Sequence, residues 1–155
     1  GWKNNIKNMW HATDAICDPI HTSNITADWY EHLTKSYGDR CRFLYASSTH
    51  DYLLSAFINE ERSGEYFTDE ATQNEYAVSL KEMYERMSGY EKQLSFFIYD
   101  FKMPQLFGRG GTIHTAVRSP QFFIKTTDGI AMSQWLIDAV KKNTYDVGVE
   151  KLLAI

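Results

Sequence analysis

The segment Gln93 to Lys102 places the tightest limit on the fold. Its side chains alternate, with Phe96 and Ile98 on one face and Phe97, Tyr99 and Phe101 on the other. A strand that is apolar on both sides must be covered on both sides, so it belongs at the centre of a sheet. Phe96, Phe97, Ile98 and Tyr99 are therefore all expected to be buried. Pro104 ends the strand, and Leu106 to Gly111 (LFGRGG) follows as a glycine-rich connection.

Several amphipathic stretches can supply the cover. Trp2, Ile6, Met9, Trp10, Thr13, Ile16 and Cys17 recur at helical spacing until Asp18-Pro19 stops the pattern. Thr26 is placed to cap a second helix through Trp29, Leu33 and Tyr37, ending at Gly38. Ser48 with Asp51 three residues later resembles a capping box ahead of Tyr52, Leu53, Ala56 and Phe57. Thr68-Asp69-Glu70 starts the longest helix, striped by Tyr76, Leu80, Met83, Tyr84 and Met87 and stopped by Gly89. Ile130 to Lys142 is a helix around Trp135 and Leu136, and a short helix is expected within Thr144 to Ile155.

Three further segments read as strands: Cys41 to Ala46 (CRFLYA), Thr112 to Arg118 with Ile113, Thr115 and Val117 alternating, and Gln121 to Thr126 (QFFIKT). The last three strands are joined by short links, which suit antiparallel neighbours. The expected architecture is α+β, with a short, mainly antiparallel sheet of about four strands in a βααβββ core, the order being ααβααβββαα. No repeat or linker divides the chain, so residues 1–155 are expected to form one domain.

At 155 residues such a chain can bury about two-thirds of its unfolded surface. Hydrophobic residues at 43% and charged residues at 23% are globular values and exclude a disordered chain. The aromatic share of 15% is high, and implies a core dense in rings or an aromatic-lined pocket. Net charge is −4 and no Lys/Arg run occurs, which argues against a nucleic-acid partner. No apolar run is long enough to cross a membrane. The chain opens at Gly1-Trp2 without Met, so a tag or signal peptide is expected to have been removed; the protein is soluble on this reading, in the cytoplasm or exported. Cys17 and Cys41 are either two free thiols or one disulfide, and their spacing suits neither a metal nor a redox pair.

No nucleotide-binding, zinc-protease, hydrolase-elbow or calcium-loop motif occurs, and no cofactor or metal is expected. The turn Ser47-Ser48-Thr49-His50-Asp51 lies where a strand hands over to a helix, so free N–H groups there form a cradle for phosphate or carboxylate. Ordinary helix capping explains the same residues. Arg109 in the Gly108–Gly111 loop is a second anion contact, with His114 and Arg118 on one strand face beside it; a flexible loop and a solvated face explain these equally well. The ligand set drawn from these features is Ser47, Ser48, Thr49, His50, Arg109, His114 and Arg118.

Two functions fit. One is a non-catalytic binding or interaction module for a small or anionic ligand, self-associating as a homodimer through Trp2, Trp10 or the tail Leu152–Ile155. The alternative is a small enzyme with its site at Ser47 to Asp51 and the glycine loop. Convergence of His50, His114 and Arg109 would favour chemistry; a flat apolar face would favour association.

Overall fold

A computed structural model describes residues 7–8, 11–102, 110–126 and 128–155. Most of the first expected helix stripe (Trp2, Ile6, Met9 and Trp10) lies outside them, as does the loop residue Arg109. The chain forms two compact units, one from the described residues up to Phe43 together with Met83–Leu94, the other from Leu44–Glu82 with Ser95–Ile155.

The first unit holds helices α1 (Asp14–Cys17) and α2 (Ile25–Tyr37) and the end of α4 (Glu70–Met87). Asn24, rather than Thr26, caps α2, its side chain accepting from the Ala27 amide at 3.1 Å. Asp28, 2% exposed, accepts from the His21 and Thr22 amides, each at 2.6 Å, and so ties the preceding loop to the helix. The Arg86 guanidinium closes on the same carboxylate at 2.6 Å and also pairs with Glu31. Cys17 is buried, Cys41 half-buried, and both thiols are free.

The second unit is built on two strands, β1 (Phe43–Ser48) and β2 (Leu94–Tyr99), whose first residues belong to the other unit. They are joined through α3 (Tyr52–Ser63) and α4. The strands pair in parallel, not in the antiparallel four-strand sheet expected from the sequence. The reason is the connection. Parallel neighbours need a crossover of about a dozen residues or more, and the long connection through α3 and α4 supplies one, unlike the short links that suggested antiparallel pairing. β2 is buried at every position, and Phe96, Phe97, Ile98 and Tyr99 are each no more than 2% exposed, as its double-sided pattern demanded. Its other edge is covered by Val147, whose amide donates to the Phe96 carbonyl at 2.9 Å and whose carbonyl accepts from Ile98 at 2.8 Å. Gly148 lets this happen: with φ at +74°, a Cβ there would stand 2.1 Å from the Ile98 carbonyl oxygen.

Thr112 to Arg118 and Gln121 to Thr126 are not strands. Tight 3₁₀ turns occupy Ala116–Arg118 and Pro120–Phe123, and only single bridges form, at Thr112 and at Lys125. Pro120 has no amide to give a ladder, and its fixed φ suits the first position of a turn. Of its two rings, Phe122 packs partly against the core and Phe123 is exposed. Phe97, Tyr99, Ala116, Met132, Trp135 and Val147 cluster together, with Trp135 on α5 (Met132–Val140) and 5.4 Å from Phe97 between ring centres. A one-turn helix, α6 (Glu150–Leu153), ends the chain. None of the described helices is long and apolar enough to cross a membrane.

Candidate functional site

In the second unit the turn after β1 carries the chain from the carboxyl end of a parallel strand into the start of α3, the end of a parallel sheet at which ligands commonly bind. Asp51 is the N-cap of α3. Its Oδ1 accepts from the Leu53 and Leu54 amides at 3.0 and 2.9 Å. Its Oδ2 accepts from the Ser48 hydroxyl at 3.2 Å and meets Nδ1 of His114 at 2.9 Å. The Ser48–Asp51 pairing seen in the sequence is thus real, with the acid rather than the serine capping the helix. Asp51 is 1% exposed. Because an ionised carboxylate only accepts, Nδ1 of His114 donates, and the opposite ring nitrogen is left to act on something else. Thirty-five per cent of the His114 side chain is exposed.

His114 comes from a segment with no helix or strand of its own. Thr112, fully buried, bridges both Asp51 and Lys102. Its hydroxyl accepts from the His50 amide at 3.1 Å, and its own amide donates to the His50 carbonyl at 2.9 Å. Gly111 makes room for this contact: with φ at +88°, a Cβ there would press to 2.9 Å from the His50 carbonyl oxygen.

The His50 ring has a buried Nδ1 with no hydrogen-bond partner among the described residues. Burial, and then the nearby Lys102 charge, push its pKa below the usual 6.5; a hydrogen bond to Asn74 and the charge of Asp100 act in the opposite sense. The ring is therefore neutral at pH 7, with one nitrogen engaged and the other open. A buried polar atom without a partner points to a group that completes it, a water or a ligand.

The turn does not work as the backbone cradle read from the sequence. The Thr49 amide donates to the Tyr99 carbonyl at 2.9 Å and the His50 amide is taken by Thr112, while Asp51 occupies the first amides of α3. An anion at this place would be held by side chains. Of the residues singled out in the sequence, Ser48 and His114 meet at Asp51, while the His50 ring, one residue before it in the chain, faces Asn74, Lys102 and Asp100. Ser47 turns elsewhere, its hydroxyl 2.6 Å from that of Tyr76. Thr49 is buried and contributes its backbone, and Arg118 is exposed in a 3₁₀ turn rather than sharing a strand face with His114. Arg109 lies outside the described residues. Sequence reasoning missed Asp51 as the centre of the group, together with Thr112 and Lys102. The only local signal was the Ser48–Asp51 spacing.

Ser48 bonds Asp51 and not an imidazole, so these residues do not form a serine–histidine–acid triad. Among the described residues, no group of three or more His, Cys, Asp or Glu side chains is placed to hold a metal ion. No family model, curated protein or solved structure matches the chain.

Proposed function

We propose that this chain binds an anionic small molecule at the His50–Asp51–His114 group and performs acid–base chemistry on it, with hydrolysis of a phosphate ester the reaction class that best uses these side chains. Two observations carry the reading: Nδ1 of His50, buried and without a partner among the described residues, and the carboxylate–imidazole couple of Asp51 and His114. A monoanionic phosphate offers its remaining O–H to the bare Nδ1 of His50 and its charge to Lys102. The bare nitrogen of His114 takes a proton from a water that attacks phosphorus, the ester P–O bond breaks, and the imidazolium, held by Asp51, returns that proton to the leaving alkoxide. Positioned proton transfer of this kind contributes about 10²–10⁴-fold.

The test is hydrolysis of p-nitrophenyl phosphate by the purified chain. Turnover should be inhibited by inorganic phosphate. His114→Ala should lower kcat by about 100-fold or more, while His50→Ala should act mainly on KM. Absence of turnover would remove the catalytic part.

The position of Ser48 favours a second reading, a non-catalytic anion-binding module, since the hydroxyl nearest the group is not activated by histidine. Phosphate binding with no turnover would select it. Self-association as a homodimer has its own support in exposed apolar side chains: Phe123 is 73% and Val140 86% exposed, and the tail residues Leu153 and Ile155 are exposed as well. Light scattering at the mass of one chain, independent of dilution, would rule the dimer out.

A further inference from the structure

His114 is held in place by very little of its own. The Thr112 bridge fixes the chain two residues before it, the Ile113 amide donates to the Phe101 carbonyl at 2.8 Å, and the next anchor comes from β2. There the hydroxyl of Tyr99 donates to the His114 carbonyl at 2.9 Å and accepts from the Ala116 amide at 3.4 Å. Tyr99 is 2% exposed, the last residue of the fully buried strand, with its ring against Phe97 and Phe101. One phenol thus clamps the backbone on both sides of Thr115, from the most rigid element of the unit. Burial pushes the Tyr99 hydroxyl up to about 12, so it stays a donor across the working pH range. A shift of this backbone would carry the imbalance straight to the imidazole, whose bond to Asp51 fixes its tautomer and aim.

We infer that Tyr99 is a positioning residue: its hydroxyl sets the backbone at His114 so that the imidazole meets Asp51 and presents its free nitrogen to the bound anion. The inference rests on the acid–base reading of the site. It adds a residue that holds the main chain on both sides of Thr115 and whose hydroxyl also meets Ser48, the serine bonded to Asp51.

The experiment compares wild type with Tyr99→Phe, which removes one oxygen and keeps the ring. In wild type the His114 Nδ1–H proton, bonded to a carboxylate, should give a downfield line in the proton NMR spectrum; His114→Gln assigns it. In Tyr99→Phe the line should broaden or vanish, kcat for p-nitrophenyl phosphate should fall about 10-fold, and KM should stay within about two-fold, since His50 is untouched. A line and a kcat unchanged in Tyr99→Phe would overturn the inference, as would a wild type without the line. Should the wild type hydrolyse nothing, the catalytic reading fails while the NMR line still decides the role of Tyr99. If Tyr99→Phe does not fold, 3-fluorotyrosine at position 99 keeps the hydroxyl and strengthens its donation; the His114 line must then move, and an unmoved line overturns the inference.

Discussion

Two buried aspartates, one in each unit, solve the same problem in different ways. Asp28 and Asp51 are 2% and 1% exposed, and each accepts two backbone amides where a helix begins or a loop joins it. Burying a carboxylate costs several kcal/mol unless it is paired and hydrogen-bonded, so each needs a partner. Asp28 takes Arg86, a cation at every pH, which Glu31 holds from the other side. Asp51 takes the His114 imidazole in place of a fixed cation, and the neighbouring residue His50 has a buried Nδ1 without a partner among the described residues. The first arrangement is closed: every group has its partner and nothing is left to react. Among the described residues, the second leaves Nδ1 of His50 without a partner. What separates a structural carboxylate from a candidate catalytic one here is the partner, not the burial.

The largest effect should come from Asp51→Asn. The amide keeps an oxygen for the Leu53 and Leu54 amides but turns an N–H₂ toward His114, imposing the wrong tautomer. Turnover should fall by about 10⁴-fold while the folded state survives, because a buried acid that orients a catalytic histidine acts through that tautomer. Asp28→Asn should leave turnover unchanged. Equal losses of activity in the two variants would break the contrast.

Stability should respond in the opposite order. Arg86→Met leaves Asp28 without its cation. Breaking such a pair costs about 3–5 kcal/mol when fully buried. Arg86 is about one-third exposed, so about 2 kcal/mol is expected in urea unfolding. A loss below about 0.5 kcal/mol would show that the amides of His21 and Thr22 suffice alone. Gly148→Ala should cost a comparable amount, about 2–3 kcal/mol, since the new Cβ collides with the Ile98 carbonyl and φ is positive. It should do so with no change in KM.

The pH dependence of stability gives a smaller signal. Burial works against ionising Asp28. The amide of Thr22, the Arg86 guanidinium, the amide of His21 and the Thr22 hydroxyl outweigh it and hold the carboxyl below its usual 3.8. The unfolded chain therefore takes up this proton first on acidification. The stabilisation is complete above about 3.8 and is lost as pH falls through the lower native value. His50, also depressed, contributes a loss that begins as pH drops below about 6.5 and ends at its native value. Urea midpoints measured against pH should lose the upper stage in His50→Gln and have a weaker lower stage in Asp28→Asn. Curves that match the wild type in both variants would contradict the assignment.

The parts of the fold that local chemistry decides were legible in the sequence. The double-sided Phe96–Tyr99 pattern gave the burial of β2 on both faces, though in a sheet of two strands, and the helices through Tyr52–Ser63 and Glu70–Met87 could be read from their stripes and stops. Pairing direction was not legible, because it depends on which strand β2 finds as neighbour: β1, across a long helical crossover, and not the short-linked segments that follow it. Thr112–Arg118 misled because a few alternating residues fit a strand as well as a loop ending in a 3₁₀ turn. The site was half visible. Ser48, His50 and Asp51 form one turn in sequence, but His114 reaches Asp51 from 63 positions away, and nothing local announces that meeting.

The central claim is that His50 and His114 face one anion. The side-chain ¹⁵N–¹H spectrum of the five histidines, recorded at pH 7 through a titration with inorganic phosphate, tests it most directly. Resonances of His50 and His114 should move together and saturate at one dissociation constant, His21 and His32 should stay still, and His50→Gln should abolish the response of His114. Resonances of His50 and His114 that stay fixed, or that drift without saturating alongside those of the other histidines, would contradict the account.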